Sequence, residues 1–194
     1  MQTKVINQDP VIFIHDKFIS KKESTVLIKL AKNKLVRAKV IDKEFNEKLS
    51  KGRTNKTSHF SSNHPSFISI RDKILDTFHL SEDDLTPFQI LCYSKGEEYV
   101  SHLDFFSSKA LKNDKEKQRM CTFLVYLNED FKGGSISFPL LDIEFKGKTG
   151  DLLGFNNCFG ETNYGHPKSL HRSKVVEKGT KWALLFWTSK LASF

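Results

Sequence analysis

Two residues apart on an extended chain, His102 and Asp104 offer an imidazole and a carboxylate to the same side. A second histidine added to that pair makes a face of two imidazoles and one carboxylate. On an iron ion such a face leaves positions open, the arrangement by which non-haem Fe(II) oxygenases take a co-substrate and O2 together. The His-x-Asp pattern alone is weakly specific in a chain with seven histidines, so a third ligand must be found. The downstream candidates are His166 and His171. His171 is favoured because it lies ten residues before Lys181, which leads into the apolar run Trp182-Ala-Leu-Leu-Phe-Trp187. A lysine opening such a run either snorkels from a strand end or is held in the core to pair the far carboxylate of a dianionic co-substrate.

The elements that must position these residues are legible in outline. Ser20-Lys-Lys-Glu23 has the capping-box pattern and precedes Val26, Leu27, Leu30 and Ala31 at helical spacing. Pro65 opens a second helix over 66–78, with Phe67, Ile70, Ile74 and Phe78 along one stripe. The segment 42–62 is polar and lysine-rich and reads as a surface loop. Beyond Ser81-Glu-Asp-Asp84 come short β-type runs at 88–93, 121–127, 135–138, 142–145, 152–155 and 182–188. Several short strands without intervening helices predict an α+β domain: a jelly-roll, or double-stranded β-helix, core with N-terminal helices packed outside its major sheet. On this reading 1–194 is one domain, with 1–85 a helical support and loop and 86–190 the core.

The composition agrees with one globular unit. At 194 residues the chain is long enough for a full core, and 38% hydrophobic residues including 17 Phe predict one rich in phenylalanine. The N-terminal stretch holds only the four-residue apolar run Val11 to Ile14, too short for a signal peptide or a membrane span, which predicts a cytoplasmic protein. Cys92, Cys121 and Cys158 are odd in number and flanked by apolar residues, and so read as buried reduced thiols. A net charge of +8 would suit an anionic partner, but the lysines are scattered among acidic residues and read as a solvated surface. His15, His59, His64 and His79 read as surface or loop residues.

Longer motifs carry a resemblance over nearly the full chain. Gln89-Ile-Leu-Cys-Tyr93-Ser-Lys-Gly96-Glu-Glu-Tyr99-Val-Ser-His102-Leu-Asp104 is similar to the tyrosine, glycine, tyrosine, His-x-Asp signature of the prolyl 4-hydroxylase family of Fe(II)/2-oxoglutarate dioxygenases. Phe18-Ile-Ser with the helix after it, Gly52-Arg-Thr-Asn, Gln118-Arg119-Met-Cys-Thr122 through Asn128, Gly133-Gly134, Phe138-Pro139 and Gly150-Asp-Leu-Leu-Gly-Phe155 resemble further family motifs in family order.

The resemblance implies that His102, Asp104 and His171 bind Fe(II) and that Lys181 and Tyr93 hold the distal carboxylate of 2-oxoglutarate. It implies O2 as the second co-substrate, ascorbate as reductant and a proline-containing peptide as substrate. Tyr99, Arg119 and Trp187 would line the substrate site, and the loops 44–60 and 105–118 would close over the peptide. Two departures stand out: Gly133-Gly-Ser-Ile-Ser-Phe138 has Ile136 where the family commonly carries a pocket-side threonine, and Ser189 stands where a histidine is often found. Alkylated nucleic acid is the main competing substrate. Enzymes of that kind tend to hold the distal carboxylate with arginine, and Lys181 at the matching place argues against it. A free amino acid as substrate, or a binding module without catalysis, would also accommodate the motifs, and the oligomeric state stays open.

Overall fold

Residues along the last long strand alternate between two separate apolar cores, and this alternation organises the molecule. Trp182, Leu184 and Phe186 pack into a cluster that includes helix residues, whereas Ala183, Leu185 and Trp187 pack into a second cluster on the opposite face. A sheet covered on both faces has no solvent side, which is why its central strands read as unbroken apolar runs rather than as polar–apolar alternation.

The computed structural model describes residues 3–41, 46–107, 111 and 117–194. In chain order the elements are β1 (Thr3–Gln8), β2 (Val11–His15), α1 (Lys21–Ala31), β3 (Val36–Arg37), β4 (Val40–Ile41), β5 (Glu47–Lys48), β6 (Lys56–Phe60), α2 (Ile68–Phe78), β7 (Phe88–Tyr93) and β8 (Tyr99–His102). They continue with β9 (Cys121–Tyr126), β10 (Lys132–Gly133), β11 (Ile136–Phe138), β12 (Ile143–Phe145), β13 (Leu152–Asn156), β14 (His171–Ser173), β15 (Val176–Lys178) and β16 (Lys181–Thr188). The major sheet has eight strands in the order β1-β2-β13-β9-β16-β7-β6-β3, and the minor sheet four in the order β12-β11-β14-β8. Neighbouring strands are antiparallel in both sheets, as expected of the jelly-roll core.

Both helices sit on the outer face of the major sheet. Helix α1 starts with the expected capping box, Ser20 accepting from the Glu23 backbone and Glu23 reaching back. Its buried stripe is Ser24, Leu27 and Ala31, and Val26, expected on that stripe, faces solvent. Helix α2 follows a 3-10 turn opened by Pro65 and buries Ile70, Ile74 and Phe78 beside Phe67. The core is phenylalanine-rich: Phe13, Phe78, Phe123 and Phe186 lie ring against ring, with centroids 4.8–5.8 Å apart along the chain of contacts. Gly154 is the close-approach point of this packing, because a Cβ there would lie 2.1 Å from the Phe13 ring.

The N-terminal part supplies more than helices and loop. Strands β1 and β2 extend one end of the major sheet and β6 and β3 the other. The expected surface loop over 42–62 is therefore corrected, since Lys56–Phe60 is a sheet strand with Thr57, Ser58 and Phe60 buried. Its polar sequence misleads because Thr57 and Ser58 are buried in spite of their hydroxyls. His15 is likewise no surface residue: it is buried on β2, hydrogen-bonded to Thr3 and packed edge-on to Phe18. His59 is exposed, as expected, but lies on β6 rather than in a loop and lines the cavity between the two sheets. All three cysteines are buried and unpaired. Among the described residues no helix is long and apolar enough to cross a membrane.

Candidate metal and co-substrate site

The two sheets enclose a cavity of about 560 Å³, lined by the three predicted metal ligands together with Tyr93, Tyr99, Arg119 and Trp187. Strand pairing brings the ligands together. His102 ends β8 and His171 begins β14, and the two are direct partners across that antiparallel pair. Asp104 lies just past the end of β8, so the irregular backbone after the strand, rather than strand alternation alone, aims its carboxylate. His102 Nε2 lies 3.5 Å from Asp104 Oδ1, and His171 Nε2 lies 3.6 Å from Oδ2. One ligand atom from each of the three falls within 4.8 Å of the others.

Local contacts fix the tautomers. Nδ1–H of His102 donates to the Val100 carbonyl at 2.8 Å and Nδ1–H of His171 to the Ser169 carbonyl at 2.9 Å. Each Nε2 is left with its lone pair toward Asp104, as a metal ligand requires. Burial, then the charge of His102, lowers the His171 pKa to about 4, so this imidazole is neutral at pH 7. Burial works against ionisation of Asp104, but the two histidines and Arg119 outweigh it and hold its carboxyl well below the usual range. Two imidazoles that each turn an Nε2 toward one ionised carboxylate, all three converging, fit an Fe(II) ion.

Around these three the packing is dense. Tyr99 stacks on His102 with ring centroids 3.5 Å apart, and the Arg53 guanidinium lies over the Tyr99 ring at 4.9 Å from its centroid. Phe155 meets the His171 ring at 4.7 Å. Asp104 Oδ2 accepts from Thr122 Oγ1 at 2.7 Å and from Trp187 Nε1 at 3.0 Å, while buried Asn157 donates to Thr122. Thr122 and Trp187 are direct partners across β9 and β16, which is why both reach one oxygen. Trp187, expected on the substrate wall, thus also holds the carboxylate. Arg119 lies over the Trp187 ring at 3.7 Å and donates to the Asp104 carbonyl.

Lys181 and Tyr93 face each other across β16 and β7. The lysine is fully buried and donates to the Gly134 carbonyl at 2.7 Å and Ser173 Oγ at 2.9 Å. It does not snorkel. Burial, with the nearby charge of Lys146, lowers its pKa to about 7, and burial pushes Tyr93 up to about 12. A buried ammonium with no carboxylate partner among the described residues is the arrangement expected of an anion-binding group.

All the predicted site residues, Tyr93, Tyr99, His102, Asp104, Arg119, His171, Lys181 and Trp187, therefore stand in or directly behind one cavity. His166, the other candidate ligand, points elsewhere and binds Asp9 at 3.0 Å. Of the two loops expected to close over a peptide, 44–60 contains the sheet strand β6 and so is only in part a loop. Residues 42–45, 108–110 and 112–116 lie outside the described residues, and part of each expected loop falls there. The motifs did not single out Thr122, Asn157 and Ser173 as supports. A signal was present for Thr122, a polar residue at the second place of a strand that is otherwise apolar and buried.

Comparison with known proteins was consistent with this geometry. The family described as the 2OG-Fe(II) oxygenase superfamily matches residues 88–189. The chain is similar to "Probable prolyl 4-hydroxylase 3" of Arabidopsis thaliana, with 29% identity over 95% of this chain and 71% of that protein. It is 32% identical to "Probable prolyl 4-hydroxylase 6" of the same organism, over 92% of this chain and 68% of that one. Among solved structures it resembles the 2OG complex of the viral collagen prolyl hydroxylase from Paramecium Bursaria Chlorella virus-1. There the TM-score is 0.73 at 24% identity, covering 91% of this chain and 94% of that one, a likeness of fold.

Proposed function

The chain belongs to the prolyl 4-hydroxylase family of 2OG-Fe(II) oxygenases, and on that ground we propose that it hydroxylates prolyl residues of a peptide, coupled to decarboxylation of 2-oxoglutarate to succinate and CO2. The observation that carries the reading is the convergence of His102, Asp104 and His171 on one cavity backed by fully buried Lys181. The whole span 1–194 acts as one catalytic unit, with ascorbate as reductant.

His102, Asp104 and His171 hold Fe(II), which when bound supplies the activation of O2 for insertion of a hydroxyl group. Tyr93 and Lys181 hold the far carboxylate of 2-oxoglutarate. The apolar lining from Leu124, Leu153, Phe155 and Leu185 keeps water from the reacting atoms and strengthens the charge contacts at both ends. Thr122 and Trp187 donate to Asp104 Oδ2, which fixes the carboxylate with Oδ1 toward His102 Nε2. Tyr99, Arg119 and Trp187 line the opening on the metal side, where a prolyl ring must come to lie.

The test is to incubate the protein with Fe(II), 2-oxoglutarate, ascorbate, O2 and proline-rich peptides, and to measure succinate together with peptide fragmentation spectra. Peptide-dependent succinate and one added oxygen on a prolyl residue are expected. Oxygen found only on nucleic acid or on a free amino acid would overturn the peptide reading.

A further inference from the structure

Resting on the function proposed above, we infer that Ser173 is a third anchor for the distal carboxylate of 2-oxoglutarate, supplying from β14 the hydroxyl that β11 lacks at Ile136. Ser173 lies in the cavity wall, whereas Lys181 behind it has no exposure at all. An ammonium can only donate, so Ser173 Oγ accepts the 2.9 Å bond from Lys181 and its own proton must point elsewhere. Tyr93, also in the wall, has its hydroxyl on the same side of the cavity, close to this serine. A carboxylate entering this end meets Ser173 and Tyr93 at the wall, with the Lys181 ammonium bonded to the serine directly behind them.

Strand register explains why serine is needed at this place. Ser173 and Ile136 are direct partners across β14 and β11, both facing the cavity. Ile136 is the position at which this chain departs from the family's pocket-side threonine, so its side chain offers no hydroxyl to the wall. Leu91, Leu124, Leu153 and Leu185 add further apolar lining. A carboxylate oxygen left without a donor in such surroundings would lose much of its binding free energy. The facing serine restores a donor to that position, one strand across.

The test is calorimetric and needs no turnover. With Mn(II) in place of iron, affinities for 2-oxoglutarate and for pyruvate, a 2-oxo acid without the distal carboxylate, are measured for wild type, S173A and S173A/I136T. Wild type is expected to prefer 2-oxoglutarate. S173A is expected to bind it about tenfold to a hundredfold more weakly, the range for one hydrogen bond to a charged group, with pyruvate unchanged. S173A/I136T should regain part of the loss, because the hydroxyl returns from the partner strand. S173C, of similar volume and weaker donor strength, should fall between wild type and S173A, and serves if S173A does not fold. Undiminished 2-oxoglutarate affinity in S173A or S173C, or an equal loss for pyruvate, would overturn the role of Ser173. No preference for 2-oxoglutarate in wild type would instead overturn the proposed function, and the inference with it.

Discussion

Replacing Lys181 by methionine should make the unliganded protein more stable while removing its hold on 2-oxoglutarate. The buried ammonium has its pKa lowered from 10.5 to about 7. At 1.36 kcal/mol per pKa unit, keeping it charged at pH 6 costs about 5 kcal/mol relative to the unfolded chain. Methionine has a similar length and no charge, so this cost disappears. Against it stands the Gly134 carbonyl, which loses its 2.7 Å donor at a cost of about 1–3 kcal/mol. The balance is a gain of about 2–4 kcal/mol at pH 6.

The pH dependence follows with a definite sign. Between pH 7 and 10.5 the unfolded wild-type chain holds the lysine proton more than the folded one does, so wild-type stability rises with pH across that window and is flat below it with respect to this group. The difference between K181M and wild type should therefore shrink as pH rises. Thermal melting of both proteins from pH 6 to 10 reads this directly, and calorimetry with Mn(II) and 2-oxoglutarate reads the other half. Breaking a buried charge pair from one side costs about 3–5 kcal/mol, a loss of affinity of several hundredfold or more. A K181M protein less stable than wild type at pH 6, or one that binds 2-oxoglutarate as tightly as wild type, would refute the reasoning.

Three further outcomes follow from the same geometry. His171→Ala should abolish Mn(II) binding by paramagnetic resonance, whereas His166→Ala should retain it and lose about 0.5–3 kcal/mol of stability in denaturant melts, because a buried ring that packs on Phe159 and accepts from the Lys168 backbone is removed. Trp187→Phe removes a donor from Asp104 but keeps most of the ring, so metal affinity should fall about 10–100-fold with the fold intact by circular dichroism. Gly154→Ala drives a methyl into the Phe13 ring and should destabilise by about 1–3 kcal/mol in denaturant melts, with the metal site unchanged in variants that remain folded.

The helices were legible because their signals are local: the Ser20–Glu23 capping box and the Phe67, Ile70, Ile74, Phe78 stripe need no other part of the chain. The central strands were legible as apolar runs because both faces of the major sheet are buried. Strands β1, β2 and β6 were not: β1 and β6 are largely polar in sequence, the apolar run of β2 is short, and β2 and β6 are placed by pairing to distant partners. For the site, residue types and spacing were enough to show that an imidazole and a carboxylate could share an ion at His102 and Asp104. The choice of His171 over His166 depended on spacing to Lys181.

What each group touches is a property of the folded chain. Register across β8 and β14 sets His171 opposite His102, and register across β16 and β7 sets Lys181 opposite Tyr93. Register across β11 and β14 likewise sets Ser173 opposite Ile136. These pairings join residues far apart in sequence, and a slip of one residue would turn each side chain to the other face. The inventory of donors and ligands is written in the residue types, because side-chain chemistry is local. Which oxygen of Asp104 is occupied, and which hydroxyl stands before Lys181, are set by contacts between strands that no single segment encodes.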